Sequence, residues 1–91
     1  MTNMISYQGL VRTFPWYIQA LRPDGSPLTF GYDVLDLQEN NIGVVGQGSR
    51  LFIRVDEIPT GIKVALNDEQ NLFCTITFQH VIDENKTYIC Q

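Results

Sequence analysis

The 91-residue chain has one histidine, six lysines and arginines, and no apolar run near the roughly 18 residues that span a bilayer. These scarcities exclude several kinds of function. A lone His80 offers no histidine pair for a metal, and the two cysteines, Cys74 and Cys90, are spaced for neither zinc knuckles nor a CxxC redox site. The basic residues Arg12, Arg22, Arg50, Arg54, Lys63 and Lys86 are scattered among ten acidic ones, for a formal charge of −4. Nucleic acid would require clustered positive charge, and an interfacial membrane helix a basic polar face; neither pattern is present. The opening MTNMISYQGL lacks the basic and long apolar regions of a signal peptide.

Catalytic signatures are equally sparse. Ser6, Ser26 and Ser49 stand in no nucleophile elbow, and His80 has no recognisable partner. The acidic pairs Asp56-Glu57, Asp68-Glu69 and Asp83-Glu84 fall in expected loops, where solvated turn carboxylates are the simplest reading and nothing fixes a general-acid and general-base pair. Asn85-Lys86-Thr87 matches a glycosylation sequon, a three-residue pattern that recurs by accident. The expectation is a protein without catalytic residues, metal or cofactor.

What the chain does have is alternation. Apolar residues make up 44% and charged residues 18%, a composition suited to one small domain able to bury about 60–65% of its unfolded surface. Residues 1–13 carry no sustained pattern and read as a flank or linker; residues 14–91 read as the domain. A first strand is expected from Phe14 to the turn-rich RPDGSP, and a second over about residues 28–37, with Phe30, Tyr32 and Val34 on one face. Ile42, Val44 and Val45 lead into a Gly46-Gln47-Gly48 corner, where glycine permits positive φ. Leu51, Ile53 and Val55 form an inward stripe opposite Arg50, Phe52 and Arg54. Further strands are expected around residues 62–66 and 73–78, the latter with Cys74, Ile76 and Phe78 on one face, and finally at Tyr88, Ile89 and Cys90. Seven short strands predict an all-β, seven-stranded antiparallel β-sandwich of immunoglobulin-like size, with a closed barrel as the alternative.

Within this pattern, Gly43-Val44-Val45-Gly46-Gln47-Gly48 has a G-x-x-G-x-G spacing, but a strand follows where a nucleotide loop needs a helix N-terminus, so it reads as a turn. Cys74 and Cys90 read as one disulfide or as two buried thiols. By strand parity Tyr17, Leu21, Phe52 and Phe73 fall on outward faces, unless a bulge inverts a strand or a loop covers them. Clustered in space, such residues would mark a protein-binding surface.

Residues 24–53 carry a longer pattern: Asp24-Gly25, Pro27-Leu28, Phe30-Gly31, Val34, Ile42-Gly43-Val44-Val45-Gly46-Gln47-Gly48 and Leu51-Phe52-Ile53, followed by Cys74 and Cys90. This resembles the C-terminal periplasmic domain of outer-membrane ushers of the bacterial chaperone/usher pathway. The departures are Ser49, where a further glycine is common, and Asn67-Asp68-Glu69, in place of a tryptophan-glycine-like strand ending. The resemblance implies a β-sandwich on the periplasmic side of an outer-membrane barrel, with a Cys74–Cys90 disulfide and Gly25, Phe30, Gly31, Gly43, Gly46, Gln47 and Gly48 as structural motif positions. It implies a non-catalytic module that binds chaperone/fibre-subunit complexes and neighbours other domains of the same usher, without inserting into the membrane itself. It also accounts for the missing signal peptide, as the end of a longer exported chain. A second reading is a free-standing secreted adhesion or carbohydrate-binding β-sandwich, with Trp16, Tyr17 and Tyr32 as stacking faces.

Overall fold

The computed structural model describes residues 14–79 and 81–91. The expected flank over residues 1–13 and the reading of His80 as structural or exposed lie outside the described residues. Seven strands follow in chain order: β1 (Phe14–Leu21), β2 (Asp33–Asp36), β3 (Asn41–Val45), β4 (Arg50–Val55), β5 (Gly61–Ala65), β6 (Phe73–Thr77) and β7 (Thr87–Ile89), with a single 3-10 turn at Gln47–Ser49. Period-two alternation sets their faces. In β4, Leu51, Ile53 and Val55 are buried while Arg50 and Arg54 are exposed, and in β6 Cys74 and Ile76 turn inward between half-buried or exposed neighbours.

The strands lie in one mixed sheet in the order β6-β5-β2-β3-β4-β1-β7. Among the described residues the fold is all-β and seven-stranded as expected, but the antiparallel two-sheet arrangement is corrected. β1 pairs in parallel with β7, Gln19 opposite Thr87 and Leu21 opposite Ile89, and every other pair is antiparallel. The two outermost strands then meet. Thr75 and Gln91 exchange both backbone hydrogen bonds, at 2.9 and 2.8 Å, and the Cys74–Cys90 disulfide joins the same edges across a Cα–Cα distance of 5.4 Å. The sheet is thereby nearly a barrel, its two outer edges joined at Thr75–Gln91 and by the disulfide. Alternation reveals which face a residue occupies, but not which strand it pairs with, so closure was invisible to it. For a loop of 16 residues, the chain-entropy model gives the disulfide about 3 kcal/mol of stabilisation.

The second expected strand is also shorter than residues 28–37. Gly31 has φ +89, a left-handed conformation suited to glycine, and it makes a turn in which the Tyr32 N–H donates to the Thr29 carbonyl. Phe30 is consequently 66% exposed, off the face shared by half-buried Tyr32 and buried Val34. The corner before β4 has its positive φ at Gly48 and Ser49, +71 and +63, and not at Gly46. Ser49 stands where the resembled pattern has a further glycine. Its hydroxyl is buried, donates to the Ala20 carbonyl, and accepts the Leu28 N–H at 2.9 Å. Those bonds tie the corner to β1 and to the loop after it, offsetting the strain of a left-handed residue that has a Cβ.

Candidate functional site

Across β3, β4 and β1 the register places Val44 opposite Phe52 and Phe52 opposite Tyr17. One step along, Gly43 is opposite Ile53 and Ile53 opposite Trp16. The second row faces the core: Ile53 is fully buried and Trp16 packs partly buried against the cluster. Gly43 is required there, because a Cβ would overlap the Phe52 carbonyl and lie 2.8 Å from Ile53 Cα. The first row faces outward. Tyr17 is 48% exposed and Val44 36% exposed, while Phe52 is half-buried beneath its neighbours. The Tyr17 and Phe52 ring centroids are 5.1 Å apart with planes tilted by 42°, and the Arg54 guanidinium lies 5.6 Å from the Phe52 ring centre, within cation–π range. The Tyr17 N–H donates to Glu84 Oε2 at 2.8 Å, which caps a strand position beyond the reach of β7.

Of the four apolar residues expected outward, the structure brings Tyr17 and Phe52 together and separates the other two. Leu21, at the far end of β1, is half-buried beside Ile89 and bridges to Pro27. Phe73 is half-buried on β6, separated from β4 by β5, β2 and β3. Val44 was not singled out from sequence, because its place beside Phe52 depends on register. Phe30, Leu72 and Val81 are more exposed still, but they sit outside regular strands, where parity gives no signal. The motif glycines and Gln47 build turns and close contacts: Gly46 donates its N–H to the Arg50 carbonyl at 2.7 Å, and the Gly48 carbonyl accepts from Gln19 Nε2 at 2.7 Å.

Trp16, Tyr17 and Tyr32 form no common stacking platform. Trp16 packs on the core and Tyr17 lies in the outer row, while the Tyr32 hydroxyl donates to Asp68 Oδ1. That hydrogen bond pushes the Tyr32 phenol up from its ordinary value. Charged groups near turns serve local structure. Asp24 is held below the usual carboxylate range by hydrogen bonds from the Ser26 hydroxyl and N–H. Asp36 is likewise lowered, chiefly by the Asn40 N–H at 2.9 Å. Among the described residues no group of three or more His, Cys, Asp or Glu is arranged to hold a metal.

The family model for the PapC C-terminal domain matches residues 17–80. The chain belongs to this usher C-terminal domain family. It is 60% identical over 77 residues to the outer membrane usher protein YehB of Escherichia coli (strain K12), a match that covers 85% of the chain but only 9% of that relative's length. Two solved usher C-terminal domains share the fold. The PapC domain matches with a TM-score of 0.60 at 14% identity, over 85% of this chain and 95% of that one. The Caf1A domain matches with a TM-score of 0.56 at 22% identity, over 85% and 96%. In this chain the outer row holds an aromatic pair, Tyr17 and Phe52, that the nearly closed sheet leaves partly exposed.

Proposed function

We propose that this chain is the non-catalytic, periplasmic C-terminal module of an outer-membrane usher. In this reading it sits on the periplasmic face of the outer membrane beside other domains of the same usher. It binds chaperone/fibre-subunit complexes during assembly and secretion of a fimbrial or capsular fibre. The observation that carries the reading is the row Val44, Phe52 and Tyr17 on the outer face of three adjoining strands. Exposed aromatic residues ringed by polar ones supply contact area at small entropic cost, and they dominate the energetics of protein interfaces. Support also comes from the Caf1A usher C-terminal domain, where conserved hydrophobic clusters on the surface are important for F1 antigen assembly.

The test is capture of a chaperone/subunit complex on the immobilised domain by surface plasmon resonance. Phe52→Ala is expected to weaken capture by about tenfold or more, as for an interface anchor, while the urea midpoint shifts only modestly. Capture unchanged by Phe52→Ala would remove the row from the binding surface.

A further inference from the structure

An open groove of about 400 Å³ lies between the turn after β2 and the loop after β4. Its apolar lining includes Leu37, Ile42, Ile58 and Pro59, and Leu37 and Ile58 remain 41% and 38% exposed. The charged residues of the lining are mostly acidic, with Asp36, Asp56 and Glu57 against a single basic residue, Arg54. The Arg54 guanidinium, which lines the groove, lies over the Phe52 ring, so the groove adjoins the outer aromatic row through Arg54. Among the described residues the ion pair is Lys63–Glu39, and neither Asp56 nor Glu57 is paired with a cation there.

We infer that this groove receives an apolar segment bearing lysine or arginine, from the same partner that covers the outer row. The inference rests on that row being the docking surface, and it adds the chemistry of what docks. Charge complementarity selects the occupant. An anionic ligand would meet three carboxylates, and a wholly apolar segment would desolvate Asp56 and Glu57 without giving them a partner, which is costly. A lysine or arginine head reaches the carboxylates while its methylene stem and flanking apolar side chains lie on Leu37 and Ile58.

The experiment titrates the 15N-labelled 91-residue chain with an acetylated Leu-Lys-Ile-Arg-Val-Lys amide, and with its counterpart carrying glutamate at the three basic positions. The basic peptide is expected to shift the amide signals of Leu37, Ile58 and Gly61, and the acidic one to leave them in place. Asp56→Lys with Glu57→Lys should weaken binding about tenfold, and Asp56→Asn with Glu57→Gln should do so to a smaller extent with the loop's shape retained. Glu69→Lys with Asp83→Lys, the same change of charge placed elsewhere, should have little effect. Equal binding of the two peptides, equal loss from both charge reversals, or no shift at the groove would each overturn the inference. If chaperone/subunit capture still depends on Phe52, such a result removes the groove alone. If that dependence is absent too, the outer row falls with it.

Discussion

Two rows of residues, one step apart on the same three strands, have opposite fates. Gly43, Ile53 and Trp16 face the core, where Ile53 has no exposure and Gly43 admits no side chain at all. Val44, Phe52 and Tyr17 face out: Tyr17 and Val44 are 48% and 36% exposed, and among the described residues the Tyr17 ring and the Arg54 guanidinium lie against Phe52. The backbone, the hydrogen-bond ladder and the register are common to both, so the difference lies wholly in what each face meets. The inner row is chosen by the fold. The outer row, which a sheet of this kind would carry equally well as threonine or lysine, is free to be chosen by a partner.

The comparison is broken most strongly at Ile53. Ile53→Ala removes a fully buried side chain and is expected to cost about 3–4 kcal/mol, read as a lowered urea midpoint with an unchanged slope. Phe52→Ala, its immediate neighbour, should cost less, about 1–2 kcal/mol, because that ring is only partly buried. Equal losses at the two positions would erase the distinction between the rows. Next in size is Ser49→Ala, which strands the buried Leu28 N–H and leaves φ +63 in place; about 2 kcal/mol is expected. Ser49→Gly should recover part of that loss by relieving the left-handed backbone, and a glycine variant weaker than the alanine one would contradict the strain argument.

The smallest effect belongs to Asp36, outside both rows. Its folded-state pKa is lowered, so its contribution is fully present above the unfolded value of about 3.9 and is lost as pH falls through the folded one. Asp36→Asn should therefore flatten the dependence of urea midpoint on pH below about pH 4 and leave the profile above pH 6 with the same shape. A steepened acid limb would reverse that assignment.

Much of this was legible in the residues themselves. The inward stripe of β4 and the Cys74 face of β6 both follow from alternation. The usher pattern over residues 24–53 pointed to the family that the model match and YehB then showed. What escaped depended on distance along the chain. The parallel pairing of β1 with β7 joins residues near opposite ends, and no local pattern encodes it. The loss of residues 28–32 from the second strand turned on one backbone angle at Gly31. Of the outward apolar residues, parity found Tyr17 and Phe52, but only register could join them to Val44 and part them from Phe73.

The central claim is that the outer row serves a partner and not the fold. The most direct measurement follows both properties in one variant, Tyr17→Ser with Phe52→Ser, with the urea midpoint for folding and surface plasmon resonance for capture of the chaperone/subunit complex. The account predicts a folded variant with a modestly lowered midpoint and capture reduced by at least about tenfold. Undiminished capture by a folded variant would contradict it.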